Sequence, residues 1–416
     1  MVRGGRHRRG VSYAALWRTP GVHAEPLTNV VFAHDSWFHR GEDGRVRSAR
    51  GAWPWERYLD FTRTLTVTSR MDAGGEGFED VSREGVEFVA VPSVSGPAVR
   101  FTRRREARAI LERALGQADA LVARLPSEIG MLAVDVAGRR GMPYAIELVT
   151  CTWDALWYRG SVQGKLYAPI SWWATRRAVR RAPFVLYVTR GFLQGRYPSP
   201  GRTVACSDAD LPPVDEAVVG RRLEAIEQGR EPFVLGIVAA LSVRFKGIQT
   251  ALEALGSVRR RLPPFELHVV GAGDASPWRG LARRHGIADR VRFEGVVPHE
   301  QMPQWLDRVD VYLQPSFQEG LPRSLLEAMS RGCPALGSTA GGIPELLERE
   351  SMHGPGDARA LSGLIERATS PQWRRSQANR NFDVAREYAP PALDGVRRAF
   401  WQEFAGFARK RDGVST

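Results

Sequence analysis

Short apolar runs alternate with longer amphipathic stretches along the first half of the chain. The apolar runs predict strands at 29–33, 63–68, 86–91, 120–123, 144–150, 184–188 and 203–206. Helical periodicity separates several of them, for example at 103–115. Because strands that alternate with helices form a parallel sheet covered on both faces, this half predicts an α/β domain.

The second half repeats this alternation more clearly. Its apolar runs predict strands at 233–239, 266–270, 291–293, 309–313 and 334–337. Its amphipathic stretches predict helices at 249–261, 278–285, 302–308, 322–331 and 344–350. The pattern is typical of a doubly wound, Rossmann-like sheet.

A polar, proline-containing stretch at 211–216 is predicted to link two domains, 1–215 and 216–385. The stretch 391–411 carries apolar residues at spacings of three and four, which predicts an amphipathic helix. We expect this last segment, 386–416, to pack back onto the first domain.

For a chain of 416 residues, 43% hydrophobic and 25% charged, two cores are expected and global disorder is excluded. No run of about 18 apolar residues is present, so no membrane-spanning helix is predicted. The basic, glycine-rich start, 1–10, lacks the apolar stretch of a secretory signal and predicts a disordered tail. Cys151, Cys206 and Cys333 exclude a disulfide scaffold and lack zinc-site spacing, which favours the reducing cytoplasm.

The formal net charge is +13, from 59 basic and 46 acidic residues. Only Lys165, Lys246 and Lys410 are lysines, and the preference for arginine is typical of a biased genomic base composition. The charge therefore argues only weakly for nucleic acid. It favours anionic partners in general, such as phosphate-bearing ligands or a negatively charged membrane surface.

The densest chemical signal is Pro-Ser-Phe-Gln-Glu-Gly-Leu-Pro-Arg-Ser-Leu-Leu-Glu-Ala-Met at 315–329. Pro322 is expected in the first turn of a helix and Gly332 just after its end. Glu319 then falls in the preceding loop, and Glu327 falls inside the helix. Carboxylates at these positions can accept hydrogen bonds from the paired hydroxyl groups of a ribose or a hexose.

This string resembles the retaining family 4 glycosyltransferases, which have the GT-B architecture of two Rossmann-like domains facing across a cleft. The family pattern is Glu, seven residues, Glu, and it stands here at Glu319 and Glu327. The resemblance is strong over 233–347 and includes Val-Val-Gly-Ala-Gly at 269–273, Arg-Val-Arg-Phe-Glu-Gly at 290–295 and Gly-Gly-Ile-Pro-Glu at 341–345. In the first half it depends mainly on the layout of strands and helices.

The resemblance implies a nucleoside diphosphate sugar, UDP- or GDP-linked, as donor in the second domain, and a hydroxyl acceptor in the first. Glu319 would contact the donor sugar and Glu327 the ribose. Backbone N–H groups beside the helix start, at Gly320 and Leu321, suit an anion. The full set of further donor-binding candidates is Gly320, Leu321, Pro322, Gly271, Gly273, Gly295 and Val297.

Lys246 precedes Gly247 in the loop after the first strand of the second half. This loop resembles the family's strand-end loop ending in Lys-Gly, whose lysine neutralises the diphosphate. A compact ammonium suits a phosphate. The family often carries Gly-Arg-Leu just before this loop, whereas Ala-Ala-Leu stands here at 239–241. Arg244 is expected to supply the missing charge.

Gly271 and Gly273 follow a predicted strand, and Glu294 lies at the distance expected in a dinucleotide-binding motif. An NAD-binding alternative is therefore open. Against it, Ser276 stands where the third glycine of that motif is expected, and the two glutamates of the 315–329 string have no role in it.

Family members often place a histidine facing the donor sugar in the first domain, but none of the eight histidines lies between residues 40 and 267. Asp154 or Glu147 would replace it, with a helix N-cap as the alternative for Asp154. On the acceptor side, the candidates at the ligand-facing ends of strands are His34, Asp35 and Arg124. A turn or a cap is the alternative for the first two.

The stretch 153–181 combines four tryptophans with six basic residues, and its part at 164–181 predicts a basic, aromatic helix. Such a helix suits an anionic membrane surface. The alternative is a solvated helix whose tryptophans pack inward. Nothing in the chain resembles a nucleic-acid-binding module.

These features predict a retaining glycosyltransferase in polysaccharide or glycoconjugate biosynthesis, in which the leaving phosphate accepts the acceptor's proton. We expect no metal and no cofactor besides the donor. The acceptor is predicted to be a lipid-linked saccharide, and the enzyme to be cytoplasmic and peripheral on the inner face of the membrane. The alternatives are a soluble small-molecule acceptor, a non-transferring GT-B enzyme such as a sugar-nucleotide epimerase or a phosphorylase, and an inactive nucleotide-binding module.

Overall fold

The computed structural model describes residues 25–49, 51, 53–94, 97–212 and 215–412. The predicted tail at 1–10, part of the predicted linker and the last four residues of the chain lie outside the described residues.

The first sheet contains seven parallel strands in the order β5-β3-β1-β6-β7-β8-β9, and two short antiparallel strands, β2 and β4, extend it beside the far end of β1. Its strands are β1 (Leu27–Arg40), β2 (Val46–Ser48), β3 (Thr62–Ala73), β4 (Glu79–Asp80), β5 (Val86–Ala90), β6 (Ala120–Leu125), β7 (Tyr144–Leu148), β8 (Phe184–Tyr187) and β9 (Arg202–Ala205). The helices around it are α1 (Glu56–Leu59), α2 (Pro97–Leu115), α3 (Glu128–Arg139), α4 (Thr152–Trp157), α5 (Val162–Arg181) and α6 (Phe192–Arg196).

The second sheet is entirely parallel, in the order β12-β11-β10-β13-β14-β15. Its strands are β10 (Phe233–Val238), β11 (Phe265–Val270), β12 (Val291–Gly295), β13 (Val311–Gln314), β14 (Ala335–Ser338) and β15 (Met352–His353). The accompanying helices are α7 (Glu216–Gln228), α8 (Ile248–Val258), α9 (Ser276–Arg284), α10 (Met302–Asp307), α11 (Arg323–Ser330), α12 (Ala358–Ala368) and α13 (Pro371–Arg386), and α14 (Pro390–Asp412) ends the described chain.

Both sheets reverse their winding direction beside their first strand, between β1 and β6 in one and between β10 and β13 in the other. The prediction of two doubly wound α/β units is confirmed. In open sheets of this kind, ligands bind outside the carboxyl ends of the strands at the point of reversal. The domain bounds at 215 and 216 stay a prediction.

One predicted element is wrong. The stretch 344–350 forms two separate 3₁₀ turns, Ile343–Glu345 and Arg349–Ser351, instead of an α-helix. Glu348 between them adopts an extended backbone, with ψ at 152°, which interrupts helical hydrogen bonding.

The last helix, α14, packs on the first sheet through aromatic side chains. The ring of Trp401 stacks on Phe61 with centroids 5.1 Å apart, and Phe404 meets Phe184 edge-on at 5.4 Å. Trp401 and Phe404 are almost completely buried. The chain thus crosses back to the first sheet after completing the second.

We predict that Phe404→Ala lowers the free energy of unfolding by about 3–5 kcal/mol, because it removes a buried aromatic ring and leaves a cavity. Urea unfolding followed by circular dichroism measures this change. The control, Val396→Ala, alters a partly exposed position of the same helix and should cost much less. Equal losses in both variants would contradict the packing of α14 described here.

Candidate functional site

Two loops that are distant in sequence meet at the reversal point of the second sheet. The loop after β10 ends in a 3₁₀ turn, Arg244–Lys246, and then Gly247. Gly247 has a positive φ of 79°, and a Cβ atom there would lie 1.9 Å from the carbonyl oxygen of Pro315 in the loop after β13. The backbone N–H of Phe317 donates to the carbonyl of Phe245 at 2.7 Å. Only glycine permits this close approach at position 247.

Lys246 and Glu319 form an ion pair where these loops meet, with Nζ 2.8 Å from Oε1. The same oxygen accepts hydrogen bonds from Gln314 Nε2 at 2.9 Å and from Ser316 Oγ at 2.7 Å. Glu319 is only 7% exposed. Three donors on one oxygen hold this carboxylate in place and compensate its burial.

Arg244 does not join this cluster of hydrogen bonds in the described structure. Its guanidinium lies over the indole ring of Trp278, 5.9 Å from the centroid, and its side chain is exposed. The Trp278 ring is fixed in turn, because its Nε1 donates to the carbonyl of Leu241 at 2.9 Å. The role of Arg244 in neutralising a diphosphate stays a prediction.

Glu327 lies in α11 and is half-buried. Burial raises the pKa of its carboxyl above the ordinary value, although the positive charges of Arg323 and His299 oppose this shift. Pro322 precedes the helix as its N-cap with extended backbone, instead of occupying the first turn. Leu321, one residue earlier, is buried.

Of the glycines predicted to bind the donor, Gly271 and Gly273 lie in the loop after β11. Gly295 ends β12, and Gly320 lies in the loop after β13. The Gly271 N–H donates to the carbonyl of Gly295 at 2.7 Å, and a Cβ at Gly271 would lie 1.9 Å from the carbonyl oxygen of Ala239. The backbone of Gly273 likewise lies so close to Leu241 that little space is left for a side chain at Gly273. These loops therefore adjoin the loop that carries Lys246. Val297 follows them and packs against the core.

Glu294, the residue that supported an NAD-binding alternative, is held by protein groups. Its Oε1 lies 2.5 Å from His268 Nδ1, and its Oε2 accepts from Trp305 Nε1 at 2.8 Å. These contacts occupy the carboxylate that a dinucleotide ribose would need, which argues against that alternative.

In the first sheet, Arg124 and Glu147 pair with each other at 2.9 Å. Tyr58 also donates its hydroxyl to Glu147 at 2.9 Å, and Asp208 forms a second ion pair with Arg124. Burial and the Glu147 charge raise the pKa of Tyr58 well above its ordinary value. Both side chains therefore form a buried structural network, and their contact with a substrate stays a prediction.

Asp35 acts as a helix cap, the alternative that its sequence position left open. Its carboxylate accepts from the backbone N–H groups of Glu128 at 2.7 Å and Ile129 at 3.1 Å, at the start of α3. His34 is buried, and its Nδ1 accepts from the Asp35 N–H at 2.8 Å. Their predicted acceptor contacts are not tested by this geometry.

The N-cap alternative for Asp154 is wrong, because Cys151 occupies that position of α4. Asp154 lies in the first turn of the helix, buried, and forms an ion pair with Arg196 at 2.9 Å. Because Asp154 lies three residues after the N-cap, its carboxylate does not cap the helix and pairs with Arg196 instead. A role at the donor sugar stays a prediction for it.

The carboxyl ends of the two sheets are in contact across the cleft. Gln318 Nε2 donates to Thr150 Oγ1 at 2.7 Å. A Cβ atom at Gly320 would lie 2.0 Å from the carbonyl oxygen of Val149, so this backbone approach also requires glycine. The residues on both sides of Glu319 thus lie against the end of β7.

Glu345 provides a second bridge that sequence reasoning did not find. Its carboxylate accepts from the backbone N–H groups of Arg190 at 2.5 Å, Gly191 at 2.9 Å and Phe192 at 2.7 Å, at the start of α6. The sequence motif at 341–345 contained this glutamate, but nothing in the pattern around 189–192 indicated its partner.

No helix in the described ranges combines the length and apolarity needed to cross a membrane. Within the same residues, no group of three or more His, Cys, Asp or Glu side chains is arranged to hold a metal ion. The three cysteines are free thiols and are buried.

Comparison with known proteins agrees with the fold described above. Residues 232–370 match the family described as glycosyl transferases group 1. The protein CapJ of Staphylococcus aureus is 25% identical over 85% of this chain and 89% of its own length. The amylovoran biosynthesis glycosyltransferase AmsK of Erwinia amylovora is 33% identical, over 33% of this chain and 36% of its own length. The crystal structure of Anabaena HepE with UDP-glucose superposes with a TM-score of 0.61 at 17% identity, covering 92% of this chain and all of that one (100%).

We predict that Glu345→Ala raises amide hydrogen exchange in the segment 190–192 by roughly tenfold or more, because charge-assisted hydrogen bonds to these amides are lost. Exchange followed by mass spectrometry measures this effect. Glu350→Ala, at an exposed position nearby, serves as the control and should leave the segment unchanged. Unchanged exchange in Glu345→Ala would show that this carboxylate does not hold the two sheets together.

Proposed function

This chain is a glycosyltransferase of the GT-B fold, similar to family 4, and we propose that it transfers a sugar from a UDP- or GDP-linked donor to a hydroxyl acceptor with retention of anomeric configuration. The observation that carries the proposal is the Lys246–Glu319 pair at the reversal point of the second sheet. A lysine beside a fixed carboxylate at this place suits a donor whose diphosphate is joined directly to the sugar.

The donor's diphosphate is proposed to approach Lys246 and to share its ammonium with Glu319. The exposed guanidinium of Arg244, in the same turn, adds positive charge. The glycine loops at Gly271 and Gly273 let the backbone come close to the nucleotide. The structural neighbour HepE was crystallised with UDP-glucose, which supports a nucleotide-sugar donor.

The ribose is proposed to bind Glu327, whose half-buried carboxylate can accept hydrogen bonds from two neighbouring hydroxyl groups. Glu319 would then face the donor sugar with its remaining lone pairs, since its position is fixed by Lys246, Gln314 and Ser316. Backbone N–H groups at Gly320 and Leu321, before α11, would face the transferring group.

In the proposed reaction the bond between the anomeric carbon and the diphosphate oxygen breaks, and the acceptor oxygen bonds to the same face of the sugar. The leaving phosphate takes the acceptor's proton. Lys246 stabilises the negative charge that grows on that phosphate, an effect worth about 3–4 kcal/mol for one well-placed donor. No metal and no cofactor besides the donor enters this proposal.

The acceptor is proposed to be a lipid-linked saccharide, in polysaccharide or glycoconjugate biosynthesis. The relative AmsK is named as a glycosyltransferase of amylovoran biosynthesis, which supports a role in polysaccharide biosynthesis. The three free, buried thiols fit the reducing cytoplasm. We therefore place the enzyme at the inner face of the membrane as a peripheral protein.

A thermal-shift screen across nucleoside diphosphates and their sugars tests the donor site. One uridine or guanosine nucleotide should raise the melting temperature of the wild type, because a ligand that binds only the folded state stabilises it. Lys246→Ala should lose most of that shift. Its kcat/KM should fall by a factor that corresponds to a loss of about 2–4 kcal/mol of transition-state stabilisation. Arg244→Ala serves as the comparison at an exposed cation of the same turn and should lose less.

A Lys246→Ala variant with an unchanged shift and rate would remove Lys246 from the donor site. With an acceptor present, proton NMR of the product should show the donor's anomeric configuration. Isomerised donor in the absence of any acceptor would identify an epimerase instead.

We predict that Glu327→Gln raises the KM for the donor more than it lowers kcat, because ribose contacts are similar in ground and transition states. Glu319→Gln should lower kcat more, because the transferring sugar changes shape and charge.

The wild-type KM for the donor should also rise as pH falls through the raised pKa of Glu327, since protonation removes a hydrogen-bond acceptor. Glu327→Gln should abolish that pH dependence. Steady-state kinetics across pH measure all three effects, and identical behaviour of the two variants would contradict these roles.

A further inference from the structure

The largest group of exposed apolar side chains in the described structure lies on and just before one helix. On α5, the exposed fractions are 74% for Val162, 73% for Leu166, 62% for Ile170 and 58% for Trp173. The spacings of four, four and three residues place these side chains on one side of the helix. Single exposed apolar residues are ordinary on protein surfaces, but a continuous stripe marks an interaction surface.

This stripe, called here the α5 face, ends in positive charge. Arg177 and Arg180 continue the same side of the helix through its last turn, and Lys165 flanks it. From Ala155 to Ser207 the sequence contains no aspartate or glutamate. This stretch contains nine basic side chains, of which Arg190, Arg196 and Arg202 form ion pairs with residues outside it. The six that precede them form no ion pair with a described residue; they are Arg159, Lys165, Arg176, Arg177, Arg180 and Arg181.

The four tryptophans of the region divide between two roles. Trp153 and Trp172 pack against the core and meet each other edge-on, with centroids 6.5 Å apart. Trp173 and Trp157 are exposed, with cationic groups over their rings at 5.5 Å in both cases. Trp157 also stacks on Trp153, with ring centroids 5.6 Å apart. One pair therefore anchors the helix, and the other contributes to the surface.

The α5 face lies beside the cleft. The Tyr158 ring, in the turn that leads into α5, rests against Phe317 with centroids 5.8 Å apart. Phe317 is two residues from Glu319, and α4 begins two residues after Thr150, which accepts the hydrogen bond from Gln318. A surface bound to the α5 face would therefore lie next to the opening of the donor site.

We propose that the α5 face docks on an anionic lipid bilayer, with Val162, Leu166, Ile170 and Trp173 inserted at the level of the headgroups and the arginines bound to their phosphates. Apolar side chains on one side of a helix, continued by arginines that extend to the headgroups, are typical of a helix lying in the membrane interface. This inference rests on the proposed function, because it brings the cleft to a lipid-linked acceptor. A second copy of the chain is the less suitable occupant, since a symmetric contact would bring the same positive charges together.

Flotation with vesicles tests the docking. The wild type should float with phosphatidylglycerol-containing vesicles at low salt and much less at high salt. Salt screens the attraction between the arginines and the lipid phosphates, and the screening length is about 10 Å at 0.1 M. It should float weakly with pure phosphatidylcholine. If no wild-type protein floats with anionic vesicles at low salt, the proposal is overturned.

Two pairs of variants locate the contact. Leu166→Ser with Ile170→Ser should lower the bound fraction roughly tenfold or more, whereas Val396→Ser, on α14, should leave it unchanged. Arg177→Glu with Arg180→Glu should abolish binding, and the corresponding lysine substitutions should retain most of it. Equal flotation of the wild type and both disruptive variants would overturn the assignment to α5.

Two further readouts separate this inference from the proposed function. The nucleotide-induced thermal shift should be the same in the wild type and in the Leu166→Ser, Ile170→Ser variant, which also shows that the variant folds. Vesicle binding without any nucleotide shift would support the docking surface and contradict the proposed function. Light scattering that finds a wild-type dimer and a monomeric variant would assign the α5 face to self-association and overturn membrane docking.

Discussion

The ion pair between Lys246 and Glu319 is the constraint on which the site depends. A partly buried charge is costly unless it is paired and hydrogen-bonded, and here one carboxylate oxygen receives three donors from two loops. These loops can meet only because β10 and β13 are neighbours on opposite sides of the reversal point. The close approach of Gly247 to Pro315 joins their backbones at the same place. The strand order of the sheet thus holds the cation of Lys246 in a fixed position at the edge of the sheet.

The second constraint is the contact between the two sheets. Gly320 approaches the end of β7 so closely that a side chain would not fit, and Glu345 binds three backbone N–H groups of the opposite domain. Gly320 directly follows Glu319, and Glu345 lies in the 3₁₀ turn after β14. Residues of the first domain are therefore held near Glu319, where we propose that the donor sugar meets the acceptor.

The fold was largely predictable from sequence, because buried parallel strands and amphipathic helices leave strong periodic patterns. The stretch 344–350 was not, since its apolar residues pack through two 3₁₀ turns that have no distinct period. The Glu319 and Lys246 positions were found through a dense local motif. Sequence could not show that Asp35 caps α3, that Asp154 pairs with Arg196, or that Glu345 crosses the cleft, because each depends on contacts between distant segments. Nor could it divide the tryptophans of 153–181 into a half-buried pair and an exposed pair.

The central claim is that the reversal point of the second sheet holds the donor, with its diphosphate at Lys246 and its ribose at Glu327. A crystal structure of the protein with the nucleoside diphosphate that stabilises it most tests this claim directly. We expect a phosphate oxygen within ion-pair distance of Lys246 Nζ and both ribose hydroxyl groups on the Glu327 carboxylate. A nucleotide bound away from these two side chains, for example with its ribose on Glu294, would contradict the account.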